Sequence, residues 1–223
     1  MRRSAYLLLF AILIGFSGCF EIIEQITMKN DGSGNFQIVL NLSQSKTKIN
    51  SFMKMKTVNG HPVPTKEEVR QKIAEIESAA AKTPGISAVK SNIDFDNYIV
   101  TLTCNFTKVT QLNGIVKNIN AANKGDAKYS EKYFDYDPAT NTFSRCSKIS
   151  LKDNYKKMSN ADKEVFAGAN YTSIYKFEAP IETEANKNAK ISPSKKAVML
   201  KVGAIDIITN TTVLENKIKL SKK

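Results

Sequence analysis

The sequence predicts an α+β fold, with antiparallel β-hairpins, helices packed on the sheet, and an all-β C-terminal segment. Two patterns carry that expectation. Runs with an apolar residue at every second position are joined by turns rich in Asn, Asp and Gly, and stretches with apolar residues at helical spacing follow them. This hairpin-then-helix order occurs about three times without any repeat at the level of residues, so it is shared architecture and not a sign of duplication. A hydrophobic content of 42% supplies a core.

The elements follow in order. Phe20 to Met28 is a strand, and Asn30-Asp-Gly-Ser-Gly34 is a dense turn signal. Phe36, Ile38, Leu40 and Leu42 then alternate with Gln37, Val39 and Asn41, which closes a first hairpin. Gly32 and Gly34 are expected to serve that loop structurally, each free to take positive φ. Ile49, Phe52 and Met53 mark a short amphipathic helix within residues 44–56, and Val58 to Pro64 is expected as a loop. Thr65-Lys-Glu-Glu68 is a capping box for a helix that buries Val69, Ile73, Ile76 and Ala80 and stops at Pro84-Gly85.

A second hairpin turns at Asp96-Asn97 and places Tyr98, Val100, Leu102, Cys104 and Phe106 on one face. Leu112, Ile115, Val116 and Ile119 give another helix. A third hairpin runs Tyr129 to Tyr136, turns at Asp137 to Asn141 and returns from Phe143 to Ile149, with a cap at Ser159 to Asp162 after it. Beyond residue 170 the strands are Tyr171 to Ala179, Ala197 to Val202 and Thr212 to Leu220, and the polar stretch Glu182 to Lys196 is loop or edge strand.

Ahead of the first strand, Arg2 and Arg3 precede an apolar run from Tyr6 to Phe16, then Ser17, Gly18 and Cys19. Positive charge, a short apolar run and small residues, in that order, form an export signal. The run is shorter than the roughly 20 apolar residues that span a bilayer. Phe16-Ser17-Gly18-Cys19 resembles the lipobox of bacterial lipoproteins, with Phe16 where Leu is usual. The resemblance implies cleavage after residue 18 and lipid on Cys19. Two or three acyl chains would anchor the chain stably where one would not. The expected organisation is a lipoprotein signal peptide at 1–18, an α+β domain at 19–170, and a β-rich part at 171–223 belonging to the same domain.

The formal charge of +12 falls to +10 when Arg2 and Arg3 leave with the signal. The lysines are scattered and no basic stripe is interleaved with aromatics, so nucleic acid is not an expected partner. The expected partners are the membrane, through the lipid on Cys19, and a lipid or an envelope protein. Phe20-Glu21 contains no acidic run after Cys19, which favours an outer membrane, facing the periplasm, in a double-membrane host.

No residue set signals catalysis. His61, the only histidine, lies between Gly60 and Pro62, with no nucleophile-elbow pattern in the chain. Asp135, Asp137 and Asn141, like Asn30 to Gly34, lack the alternation and late glutamate of a calcium loop and suit turns instead. Glu67 and Glu68 complement a helix dipole. Cys104 and Cys146 with one histidine do not make a zinc site; alternation puts Cys104 on an apolar face as a buried free thiol. No cofactor and no metal are expected. Tyr129, Tyr133, Phe134 and Tyr136 form the densest aromatic cluster, either core or the lining of an apolar groove.

Three stretches resemble the LppM-type bacterial lipoprotein domain. They are Cys19-Phe-Glu-Ile-Ile-Glu-Gln-Ile-Thr-Met with Asn30-Asp-Gly-Ser-Gly and the alternating strand to Ser43; Tyr175-Lys-Phe-Glu-Ala-Pro180; and Asn188-Ala189 with Val198-Met-Leu. They cover about a quarter of the chain. The resemblance implies an envelope domain with a lipid-binding cavity and brings no catalytic residues. The function expected is therefore a membrane-anchored, non-enzymatic binding or scaffolding module, with lipid or apolar-ligand binding between helices and sheet as the alternative and envelope hydrolysis disfavoured.

Replacing Cys19 by Ala is expected to leave unprocessed precursor and to abolish metabolic lipid labelling. Labelling that persisted in the variant would refute acylation at Cys19.

Overall fold

The computed structural model describes residues 20–122, 132–146 and 152–222. Residues 1–19, which hold the expected signal peptide and Cys19, lie outside the described residues. Among these residues the strands are β1 (Glu21–Met28), β2 (Gly34–Asn41), β3 (Thr57–Val58), β4 (His61–Pro62), β5 (Ile86–Asp94), β6 (Ile99–Phe106), β7 (Phe134–Asp137), β8 (Thr142–Arg145), β9 (Asn170–Phe177), β10 (Ile181–Glu184), β11 (Lys190–Ile191), β12 (Ala197–Gly203) and β13 (Asn216–Leu220). The helices are α1 (Lys46–Phe52), α2 (Lys66–Ala81), α3 (Leu112–Ala122), α4 (Lys152–Lys157), α5 (Asn160–Lys163) and α6 (Ala204–Ile208). The fold is α+β. None of these helices is long and apolar enough to cross a membrane.

A seven-stranded sheet runs in the order β11-β12-β9-β1-β2-β6-β5, and a four-stranded sheet in the order β10-β13-β8-β7. The large sheet is antiparallel except at its centre, where β1 and β9 pair in parallel from Glu21 against Asn170 to Met28 against Phe177. Alternation assigns the faces. Ile26 and Met28 of β1 point inward with Phe36, Leu102, Cys104, Phe106, Tyr175, Phe177 and Val198, all buried. The opposite face carries Gln25, Gln37, Thr101 and Thr103, which are half-buried.

The four-stranded sheet closes over the inner face. Phe143 is fully buried, its ring 5.0 Å from Tyr175 and 5.5 Å from Phe177. α3 joins this core through Leu112 and Ile115. Asn113 pins β7 to it, its Oδ1 accepting from the Tyr133 and Phe134 backbone N–H groups and its Nδ2 donating to Phe134 O, all at 2.9 Å. α2 crosses α3 closely, because a Cβ on Gly114 would stand 2.7 Å from Thr83 Cγ2. The capping box of α2 forms, with Thr65 Oγ1 accepting from Glu68 N and Glu68 Oε2 accepting from Thr65 N.

The structure differs from the sequence expectation at four places. The stretch Val58 to Pro64 contains the hairpin β3–β4, because Asn59 and Gly60 take φ of 52° and 80°, the backbone of a two-residue primed turn. The C-terminal segment, expected to be all-β, holds one helix, α6, between the expected strands; its Ile207 is buried in a satellite core with Leu200, Val202 and Leu214, and Ile208 is buried beside it in sequence. In the third hairpin the described strands are β7 and β8, so Lys132, Tyr133 and Cys146 lie outside them; residues 129–131 and 147–149 of the expected strands lie outside the described residues.

The fourth difference concerns the first hairpin loop. Gly32 takes φ +82° as expected, but Gly34 lies in β2, outside the positive-φ region. It is small because Thr27 O and the Phe106 ring would lie 2.0 and 2.8 Å from a Cβ there. The two glycines therefore fail differently. Gly34→Ala is expected to cost about 3 kcal/mol through overpacking against backbone, and Gly32→Ala about 1 kcal/mol through left-handed backbone alone. Urea unfolding of both variants checks this; equal losses, or a larger loss at Gly32, would contradict it.

Candidate functional site

An apolar cavity of about 440 Å³ opens at the end of the large sheet where β1 begins. Ile93 and Val100 of β5 and β6 form its floor. Ile49, Phe52 and Met53 of α1, spaced to share one helix face, cover it from one side. Val58, Pro62 and Val63 of the β3–β4 hairpin and Val69 of α2 make the opposite wall, and Val165, after α5, reaches in at the mouth. No residue of α1 is fully buried, so its apolar stripe is spent on the cavity and not on the main core. Two contacts hold the cover in place. Tyr98 donates its hydroxyl to Asn50 Oδ1 at 2.5 Å, and the Phe95 ring carries Arg70 at 4.8 Å and Lys66 at 5.3 Å.

The polar rim is small. Asp162 Oδ2 stands 3.6 Å from His61 Nε2, and its Oδ1 accepts from Asn59 Nδ2 at 3.4 Å. Ser159 Oγ donates to Asp162 Oδ2 at 2.8 Å, and this bond, with the smaller contributions of Asn59 and His61, holds the Asp162 carboxyl below its ordinary range. α5 is thereby latched to the β3–β4 hairpin. Serine, carboxylate and imidazole meet here in the wrong order for nucleophilic catalysis, which needs the imidazole between the other two. The His61 side chain is 72% exposed.

A second polar group lies deep between the sheets. Glu24 shares the inner face of β1 with Ile26 and Met28 and is 6% exposed. Its Oε1 accepts from the Tyr175 hydroxyl at 2.6 Å and lies 3.5 Å from Nε of Arg145, which is 3% exposed and comes from β8. The guanidinium stacks over Phe134 at 5.1 Å and Tyr133 at 5.5 Å. Burial is the largest influence and opposes the Arg145 charge, but Glu24 together with Tyr171 and Tyr175 outweighs it and raises the pKa. Burial, then Glu24, pushes the Tyr171 and Tyr175 hydroxyls well up. Arg145 Nε and Nη1 and the Tyr171 hydroxyl make no aligned hydrogen bond. The cluster joins β1 and β9 to β8, and Arg145 also lines a polar surface depression with Asp135, Ser144, Cys146 and Asn216.

Sequence reasoning did not single out Glu24. The signal was present, since a carboxylate alternating with Ile22, Ile26 and Met28 on an inward face must find a partner. Nor did it find the cavity, whose walls come from segments distant in the chain. Of the aromatic cluster weighed as a groove, Phe134 is buried core, Tyr133 lies under Arg145, and Tyr136 donates to Asn141 Oδ1 at 2.6 Å; Tyr129 lies outside the described residues. The groove is elsewhere.

The other candidates occupy local roles. Asp137 accepts from Ala139 N and Thr140 Oγ1 within its own turn, and Asp135 pairs with Lys132 at 2.7 Å. Asp31 accepts from Ser33 in the first hairpin loop. Glu67 pairs with Arg70 at 3.1 Å, and Glu68 serves the capping box. Cys104 is a buried free thiol, with burial pushing its pKa up to about 11, and Cys146 is free and half-buried. Among the described residues no three His, Cys, Asp or Glu side chains converge as metal ligands would.

No protein-family model matches this chain, and no curated protein matches it. Among solved structures it is similar to the NMR structure of the folded domain of the Mycobacterium tuberculosis LppM protein. The identity is 14% and the TM-score 0.45, with 92% of this chain and 90% of that chain covered. The terminal stretches of the sequence resemble the same family.

Proposed function

We propose that this chain is a non-enzymatic lipoprotein of the cell envelope, anchored through acylated Cys19, whose folded domain binds a lipid or another apolar ligand in the cavity beneath α1. The place we assign it is the outer membrane, facing the periplasm. The observation that carries the binding role is the cavity wall, built from aliphatic and aromatic side chains contributed by α1, the β3–β4 hairpin, α2, β5 and β6. Protein interiors are normally packed to the density of organic crystals. A space of about 440 Å³ left open among such side chains falls within the range of small-molecule sites, about 300–1,000 Å³. Of its polar lining residues, Asn59, His61 and Asp162 belong to the hairpin and to α5, where they could orient the polar end of a ligand, and Asp94 lies at the end of β5.

The magnitudes are sufficient. Sequestering about ten methylenes is worth roughly 8 kcal/mol before ordering costs. That corresponds to a dissociation constant near a micromolar at best. Scaffolding of an envelope partner is the other binding role open to such a protein, and the cavity favours a ligand.

The expected result for residues 20–223 is saturable binding of one fluorescent fatty acid per chain at about micromolar affinity. Val100→Trp and Val69→Trp, which fill the cavity from two sides, should each weaken it about tenfold, or roughly 1.4 kcal/mol. Circular dichroism would confirm that both variants fold. Absence of saturable binding by the wild type, or equal binding by the filled variants, would contradict the assignment.

A further inference from the structure

The register of the large sheet lines up one end of the domain. Asp94, Ile99, Asn41, Glu21, Asn170 and Gly203 form a transverse row, each paired with its neighbour across β5, β6, β2, β1, β9 and β12. Beyond that row lie Phe20, the β5–β6 turn, the start of the path to α1, the 3-10 turn Glu164–Phe166 and helix α6. The residue after Cys19 is therefore on this end and is fixed there. Phe20 O accepts from Asn170 N at 2.9 Å, and the Phe20 ring meets Phe166 edge-on at 6.0 Å. Phe166 adjoins Val165, which lines the cavity, so the start of the folded chain lies near the cavity.

Large apolar side chains are exposed on two of these segments and beside the cavity. Val165 of the 3-10 turn is 46% exposed and Ile205 of α6 37%; Leu40, next to Asn41 of the row, is 36% exposed, Met55, two residues after the cavity-lining Met53, 52%, and Val213, between α6 and β13, 47%. The exposed Met199, by contrast, lies on the outer face of the large sheet opposite Val198 and Leu200. Around Met55 the charge is positive, whereas Glu164 adjoins Val165 and Asp206 adjoins Ile205. Residues 43–63 contain Lys46, Lys48, Lys54 and Lys56 and no carboxylate, and all four lysines are exposed. Lys54 and Lys56 flank Met55.

We propose that this end of the domain is a membrane-docking surface, with Met55, Val165 and Leu40 entering the interface of an anionic phospholipid bilayer while Lys54 and Lys56 engage its headgroups. Exposed apolar side chains beside lysines are the composition that a negatively charged bilayer surface attracts. The position of Phe20 limits how far the domain can stand from an acyl anchor one residue earlier; in this respect the proposal rests on acylation of Cys19. Docking would set the cavity mouth against the bilayer, where an apolar ligand could pass between membrane and protein without crossing water.

The chain has no tryptophan, so a single one reports without background. The test uses the full mature protein isolated from cell membranes, carrying Met55→Trp or Met199→Trp. Each is reconstituted into vesicles of phosphatidylcholine alone or with phosphatidylglycerol, with brominated acyl chains as quencher. The expected result is blue-shifted, quenched emission at position 55 in the anionic vesicles, and neither effect at position 199. Near an anionic surface each lysine contributes about fivefold, so Lys54→Glu with Lys56→Glu should lower the docked fraction at least about tenfold.

Protein that floats with the vesicles but shows no quenching at position 55, or equal quenching at both positions, would overturn the docking surface and leave the anchor standing. Quenching at position 55 in anionic vesicles by protein that does not float with neutral ones would support the surface and overturn the anchor.

Discussion

Eight residue pairs join β1 to β9 in parallel, and the rest of the molecule is arranged around that seam. It brings together residues about 150 positions apart, at a loop-closure cost of about 4 kcal/mol that packing must offset. Three consequences follow from its register. Phe20 is placed beside Phe166, Glu24 comes within reach of Tyr175, and the strands of both parts of the chain share one inner face. The four-stranded sheet then meets that face through Phe143 and Arg145. A buried ion pair adds little net stability, but breaking one costs about 3–5 kcal/mol. The Glu24–Arg145 contact therefore penalises any alignment of the two sheets that would separate its partners.

The same seam explains why the cavity lies where it does. The core face is filled by Phe143, Ile218, Leu112 and Ile115 over its middle. Toward the start of β1 the four-stranded sheet no longer covers it. There the face is roofed by α1 and the β3–β4 hairpin, two short elements with no fully buried side chain, held by exposed contacts such as Tyr98 with Asn50 and His61 with Asp162. Elements with few buried apolar contacts are the ones that open locally at low free energy. A cavity beneath such a roof is accessible to a ligand in a way that the core around Phe143 is not.

What was legible in the sequence is what local chemistry specifies. The capping box at Thr65 and Glu68, the turn at Asp31 and Gly32, and the inward alternation of Leu102, Cys104 and Phe106 all depend on residues a few positions apart. The parallel seam is not of that kind, because β1 and β9 carry the same alternation whichever strand they lie beside. α6 was obscured by its β-branched isoleucines, and Gly34 by a constraint that comes from Thr27 and Phe106 across the sheet. The aromatic cluster at Tyr133, Phe134 and Tyr136 was open to reading as core or groove because composition does not distinguish a ring that lines a space from one that fills it. The candidate site needed the tertiary structure, since Ile49, Val58, Val100 and Val165 line one cavity only after the chain has folded.

The central proposal is that an apolar molecule occupies the cavity of a chain proposed to be membrane-anchored. Native mass spectrometry of the mature chain, released gently from its own cell membranes, measures this directly. The predicted spectrum shows the acylated protein with one further non-covalent adduct of lipid mass per chain, and that adduct is absent when Val100 is replaced by Trp. A single peak at the mass of the acylated protein alone, or an adduct that persists undiminished in the variant, would contradict it.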